Sequence, residues 1–455
     1  MSTRAHKPDV IDVAATIDAQ PVGAFQKRLM VLIALCVVID GFDVQSMGFV
    51  APALISSWHV SRAAMGPVFG ASLVGMLIGA LTMGPLADRV GRRPVLLGCT
   101  AFVGAMMIAT AFAGALAHLL ALRFVTGCGL GGIMGNAVAL VSEYSPARKR
   151  ATLTMWVSCG FTLGAAFGGV VSALLIPLAG WRAVFALGGV VPLLIAAAMA
   201  VALPESMQFL IARGAQAERI GALLQRVAPA ARVALHTRFV APMRTHEGSS
   251  VAALFAEGRA RVTLLAWGVN FMNLLNLFFL ANWLPTIATD FGYGVADAAI
   301  IGTTLQVGGM IGTLAMGPLI DRWGFFRVLV PAYLIATVAI LSISHVAAVS
   351  LAMLLAIVAA SGFAIVGGQP ANNALSAALY PVTLRATGVG WSLGIGRAGS
   401  IVGPIVAGAL MQLHWSAQQL FCAAAIPALL SALMLYAMSR ERCFTPTRKP
   451  STEAA

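Results

Sequence analysis

Apolar residues fill twelve long runs of this chain, and polar residues gather in the gaps between them. The runs cover 29–50, 65–86, 94–115, 118–140, 152–175 and 182–203, then 260–282, 298–320, 327–348, 350–372, 386–410 and 416–438. Each reaches the roughly 20 apolar residues that an α-helix needs to cross a bilayer. The pattern predicts an all-α membrane protein with twelve transmembrane helices. Residues 1–28 read as a flexible polar tail without the apolar segment of a cleaved signal peptide, so the first run serves as its own insertion signal. Pro204-Glu205-Ser206 breaks the sixth run, and 204–259 reads as a linker, partly helical and lying on the membrane surface. Residues 439–455 form a second polar tail.

The runs come in two matching sets. Gly84-Pro85-Leu86-Ala87-Asp88-Arg89-Val90-Gly91 returns 233 positions later as Gly317-Pro318-Leu319-Ile320-Asp321-Arg322-Trp323-Gly324. Between Gly75–Gly91 and Gly308–Gly324, 11 of 17 positions are identical. Arg150-Ala151-Thr152 recurs 235 positions on as Arg385-Ala386-Thr387, which sets Trp156, Gly164 and Gly168 over Trp391, Gly399 and Gly403. Repeats at half the chain length predict two pseudo-symmetric six-helix bundles, 29–203 and 260–438. The spaced glycines read as packing positions, because small residues let helices approach closely. Gly84–Arg93 reads as a tight basic loop, in which Asp88 caps a helix start or pairs with a neighbouring arginine.

Composition narrows the function. The chain is 59% hydrophobic and 10% charged, with a mean hydropathy of +0.90, which excludes an ordinary soluble domain. A net charge of +13 raises the question of nucleic acid, but no basic patch interleaved with aromatics is present. The positive-inside rule accounts for the charge better. With both termini cytoplasmic, the inner loops hold Arg89, Arg92, Arg93, Arg148, Lys149, Arg150, the arginine-rich linker, Arg322, Arg327 and Arg385, and the outer loops hold Arg62 and Arg182. Six cysteines and seven histidines form no CxxC or HExxH spacing, so no metal site and no cofactor are expected. Without a nucleophile–base pair or a phosphate loop, the chain does not read as an enzyme.

Ionisable groups inside membrane spans are costly, and they mark function. Asp40 and Asp43 lie near the middle of the first run, three residues apart on one helix face. Desolvation and mutual repulsion favour a proton on one of them, which a proton-coupled carrier needs. The alternative is a pair of buried acids satisfied by neighbouring donors. Arg397, flanked by glycines in the eleventh run, offers a guanidinium fork that fits a substrate carboxylate, or an internal partner for an aspartate. Asn270, Asn273 and Asn276 in the seventh run, with Gln306, Gln369, Asn372 and Asn373, either bind polar substrate groups or glue helices together. Phe42, Phe271, Trp283 and Trp391 are candidates to stack on a ring or to pack. Glu143 and Arg148–Arg150 close the fourth run as a gate or a structural cluster.

The Gly84–Arg93 motif resembles the loop between the second and third helices of the major facilitator superfamily, and Gly317–Gly324 its echo between the eighth and ninth. The resemblance implies a gating latch built on Gly84, Asp88, Arg89 and Arg92, repeated at Asp321 and Arg322, although Phe325-Phe326 replace Arg92-Arg93 in the second copy. Arg123, followed by spaced glycines, resembles the superfamily's fourth-helix motif, which implies a part in proton coupling to a first-helix aspartate. The alternative for Arg123 is snorkelling to the outer surface. Asp40-Gly41-Phe42-Asp43, Pro204-Glu205-Ser206 and Asn282-Trp283-Leu284-Pro285 are similar to the aromatic acid:proton symporter branch. That implies uptake of 4-hydroxybenzoate, protocatechuate, benzoate or gentisate across the inner membrane, with the proton as coupling ion and a monomer in lipid. A carrier of another anion (nicotinate or a dicarboxylate), a drug exporter and a transporter-like sensor are the rival readings.

Overall fold

A computed structural model of the chain describes residues 10–229, 238–240, 251–347 and 349–441. Arg4, Lys7 and Asp9 of the first tail, Arg232 and Arg244 of the linker, and the second tail beyond Glu441 lie outside the described residues. In order, the chain forms β1 (Val10–Asp12), α1 (Val13–Ala19), α2 (Ala24–Trp58), α3 (Met65–Val90), α4 (Arg92–Ala111), α5 (Leu116–Glu143), α6 (Ala147–Ala202), α7 (Met207–Ala212), α8 (Ala217–Val227) and β2 (Arg238–Val240). Then follow α9 (Ala260–Asp290), α10 (Val295–Trp323), α11 (Phe325–Val346), α12 (Leu351–Leu379), α13 (Val382–Gln412) and α14 (Ala417–Ser439).

The 56 residues of α6 would reach about 84 Å as a straight helix. A bilayer core is only about 30 Å thick. The run breaks at Gly180, whose φ of 74° and ψ of 173° are not helical. Counted on either side of that break, α6 supplies the fifth and sixth spans, and α2–α5 with α9–α14 supply the other ten.

The chain divides into two compact units, Met1–His246 with Gly292–Thr303, and Glu247–Phe291 with Thr304–Ala455. Inside the first, α2 packs on α6, α3 on α5, and α4 on both α5 and α6. Inside the second, α9 packs on α13 and α11 on both α12 and α14. The crossings repeat residue by residue. A Cβ on Gly164 would stand 1.8 Å from the Val38 carbonyl oxygen, and one on Gly399 would stand 2.2 Å from that of Phe271. Gly79 meets the carbonyl of Cys128 at 2.1 Å in the same sense, and Gly312 that of Phe363 at 2.2 Å. The glycines therefore act as backbone contacts in both units, as their spacing predicts.

Three expectations need correction. Gly84–Val90 is not loop: α3 continues through Pro85 to Val90, and only Gly91, at φ 108°, turns the chain into α4. Pro85 removes one backbone donor, which a membrane helix tolerates. The stretch 10–28 is not a loose tail. β1 pairs in parallel with β2, Asp12 caps α1, and α1 buries Val13 and Ile17. The linker does contain helix, but the apolar face of α8 (Ile220, Leu224 and Val227) is buried against α2 and β2 rather than left for lipid.

Candidate functional site

Asp-Gly-Phe-Asp shapes the first polar cluster. Gly41 lets α2 lie directly on α6, since a Cβ there would be 1.9 Å from the Phe161 carbonyl oxygen. That close seat leaves Asp40 and Asp43 completely buried. Arg123 on α5 reaches Asp43, with Nη1 donating to Oδ1 at 2.9 Å. Its Nη2 donates to Thr110 Oγ1 at 3.2 Å and Thr126 Oγ1 at 3.5 Å, and the guanidinium sits 5.0 Å from the centre of the Phe185 ring. At 1% exposure, Arg123 does not snorkel; an opposite charge and two hydroxyls hold it inward. Two buried charges offset their desolvation only with such complementary partners. Asp43 Oδ2 is buried and has no hydrogen-bond partner among the described residues.

The second cluster is built of neutral amides and lies within the second unit. Asn270 on α9 donates to the Ala266 carbonyl at 3.2 Å, to Ser376 at 3.2 Å and to Ser392 at 2.8 Å. Gln369 on α12 donates to Asn270 at 3.3 Å and to Asn373 at 3.2 Å, and accepts from Asn273 at 2.6 Å. The cluster thus joins α9, α12 and α13. Asn276 and Asn372 stand apart as helix glue. Asn276 donates to the Ala424 carbonyl at 3.0 Å and Asn372 to the Tyr333 hydroxyl at 2.6 Å.

The third cluster gathers where α3 ends and α4 begins. Arg92 pairs with Glu143 at 2.6 Å, and Ser206 Oγ donates to the same carboxylate. Glu205 Oε1 accepts the backbone N–H groups of Arg92 at 2.9 Å and Arg93 at 3.1 Å. It thereby caps α4, a task the sequence suggested for Asp88, which instead is exposed in the last turn of α3. Burial, then the carboxylates of Glu143 and Glu205, push the Tyr144 phenol up, so it stays protonated and donates to the Glu205 carbonyl at 2.6 Å. Gln26 donates to the Tyr144 carbonyl at 2.7 Å, and Arg213 donates to that of Arg89. Arg150 comes within 3.9 Å of Asp18, whose Oδ1 also accepts the Ala147 N–H at 2.6 Å.

Other predicted site residues fall outside these clusters. Phe42 is packed against Gly168 and Gly188, where its ring fills a helix contact. Trp391 is 46% exposed and stacks on Trp267 at 5.8 Å. Trp283 donates its indole N–H to the Pro404 carbonyl at 3.0 Å. Gln306 is buried on α10, and Arg397 is half-buried on α13, where its carbonyl accepts from Ser400 at 2.7 Å. Gly84 meets no atom within 4 Å of a built Cβ. Asp321 and Arg322 are exposed, and among the described residues no ion pair joins them to another helix. Ala378 stands at the repeat position of Glu143, so the acid is missing there. Sequence reasoning missed Glu205, Tyr144, Gln26 and Asp18 as structural partners. The usable signal was an acid just beyond a span end beside basic loops.

A chain of two repeated helical units, each apolar enough to cross a bilayer repeatedly and carrying charge or amides in its interior, is a multi-pass membrane protein of the carrier type. The Major Facilitator Superfamily profile matches residues 33–256 and 266–454, and the chain belongs to that family. It is 42% identical over 423 residues to the 4-hydroxybenzoate transporter PcaK of Pseudomonas aeruginosa, covering 92% of this chain and 94% of the relative. It is 41% identical over 440 residues to a gallate transporter of Pseudomonas putida, covering 96% and 97%. Among solved structures, an inward-facing, occupied bacterial homologue of the human lysosomal transporter Spinster superposes with a TM-score of 0.71 over 92% of this chain and 98% of that one. At 18% identity that likeness concerns the fold.

Proposed function

We propose that this protein takes up an aromatic carboxylate such as 4-hydroxybenzoate, protocatechuate, benzoate or gentisate together with protons, by alternating access of its two bundles. The observation that carries the reading is identity near two-fifths, over more than nine-tenths of the chain, to transporters of 4-hydroxybenzoate and gallate. The Asp43–Arg123 pair supplies the coupling chemistry. Ionised, Asp43 balances the guanidinium; its second oxygen, Oδ2, is the open place for a proton. Asp40 is the second candidate to titrate. Arg397 is the fork for the substrate carboxylate, and Asn273, held by Asn270 and Gln369, faces its ring substituents. Arg92, Glu143 and Arg150 act in the gate. The arginine bias supports the inner membrane with both termini cytoplasmic, and the carrier works as a monomer in lipid.

The test is uptake of radiolabelled 4-hydroxybenzoate and gallate by cells that lack their own carriers and express this chain. Accumulation above the vector control, abolished by a protonophore, is expected. Accumulation equal to the vector control for both acids contradicts the reading.

A further inference from the structure

The amide cluster has a direction, and the direction ends in an open acceptor. A carbonyl only accepts, so the Asn270 nitrogen is the atom that faces Ala266 at 3.2 Å. Asn270 Oδ1 is therefore the acceptor for Gln369 Nε2 at 3.3 Å. The second Nε2 hydrogen goes to Asn373 Oδ1 at 3.2 Å. With its nitrogen committed, Gln369 presents Oε1 to the Asn273 nitrogen at 2.6 Å. Each amide fixes the next. What remains is Asn273 Oδ1, which is buried and has no hydrogen-bond partner among the described residues, on a residue only 1% exposed.

A buried acceptor left unmade is costly, and the fixed relay denies Asn273 a flip that would hide it. The Asn276 oxygen, three residues later, is also buried without a hydrogen-bond partner among the described residues, but its nitrogen bonds the Ala424 carbonyl outside the relay, so within the relay only the Asn273 oxygen is left open. Asn270, three residues earlier, has both its nitrogen and its oxygen engaged. The oxygen of Asn273 needs an incoming O–H or N–H.

We infer that Asn273 Oδ1 accepts a hydrogen bond from a donor on the aromatic ring of the substrate, so that the carrier selects phenolic acids over aromatic acids that carry no ring donor. The inference rests on the proposed transport of aromatic carboxylates. It names Asn273 as the specificity-determining residue and Asn270 with Gln369 as positioning residues that hold its amide in register. Sites built to bond a hydroxyl reject the analogue that lacks it far more strongly than apolar pockets reject a change of size. A merely structural amide gives no such discrimination.

The test is competition against uptake of labelled 4-hydroxybenzoate in cells expressing the full chain. The competitors are unlabelled 4-hydroxybenzoate and 4-fluorobenzoate, which keeps the ring and the carboxylate but cannot donate. In the wild type, 4-fluorobenzoate should need at least about tenfold more for half-inhibition. In Asn273→Leu, 4-hydroxybenzoate should weaken and the ratio should fall toward one. Asn276→Leu, which alters helix glue one turn away, should leave the ratio unchanged. Equal competition in the wild type, or an unaltered ratio in Asn273→Leu, overturns the assignment. If Asn273→Leu does not reach the membrane, Asn273→Ala takes its place, and an unaltered ratio there overturns the assignment equally. A wild type that accumulates no labelled acid overturns the transport reading itself, and this inference with it.

Discussion

Glu205 caps the helix that Arg92 begins: its Oε1 accepts the Arg92 N–H at 2.9 Å from a position 113 residues further along the chain. The same carboxylate crowds Gly91, where a Cβ would stand 2.4 Å from Oε2. One turn of backbone, one carboxylate and one glycine thus define the link between α3 and α4. Gly91 is needed for two reasons, its φ of 108° and this contact.

Replacing Glu205 with Ala should lower stability by about 1 kcal/mol, the usual worth of a lost helix cap. Glu205→Gln keeps the acceptor and should cost less. Gly91→Ala should be worse than Glu205→Gln, since a strained backbone adds about 1–3 kcal/mol. Gly84→Ala, in the open interior of α3, should be neutral or slightly stabilising. Thermal unfolding of the four purified variants in detergent checks the order.

Truncating Arg123 to Ala leaves Asp43 buried beside an empty space. Loss of one partner from a buried pair costs about 3–5 kcal/mol. Adding Asp43→Asn should recover a large share of that loss, because it removes the uncompensated charge. A double-mutant cycle on thermal stability measures the recovery. Strict additivity of the two changes contradicts the pairing.

Asp18 accepts the first N–H of α6 at 2.6 Å, and its carbonyl accepts from Arg148 at 3.0 Å. Asp18→Ala should cost about 1 kcal/mol through the α6 terminus. It should also loosen α1, which limited proteolysis reads as earlier cleavage near residue 20. Cleavage at the wild-type rate contradicts an anchoring role.

Much of this fold was legible because two periodic signals reinforced each other. Apolar runs gave the helices, and the repeat paired them, down to Gly164 with Gly399. The helical ends were less legible. Gly84-Pro85 carries the residues of a turn, yet the helix runs through both to Val90, and the obligatory turn residue of that link was Gly91. The site divided in the same way. Asp43 and Arg123 announced themselves as charges at membrane depth, and the amides of α9 as polar residues at helical spacing. Nothing local marked the side-chain oxygen of Asn273 as the one left open, since that depends on Gln369 from 96 residues away. Glu205 and Asp18 looked like solvated surface acids, because a capping role is visible only once the distant helix start is in place. Trp391 and Phe42 suggested ring stacking by type alone; in the fold Phe42 lies against Gly168 and Gly188, and Trp391 stacks on Trp267 with nearly half of its surface exposed.

The most direct measurement follows luminal pH in proteoliposomes containing the purified protein when labelled 4-hydroxybenzoate is added outside at a pH where it is ionised. The wild type should acidify the lumen as label enters, beyond protein-free liposomes, and Asp43→Asn should do neither in excess of that control. Entry of label through the wild type with luminal pH matching the protein-free control would contradict coupled transport through the buried acid.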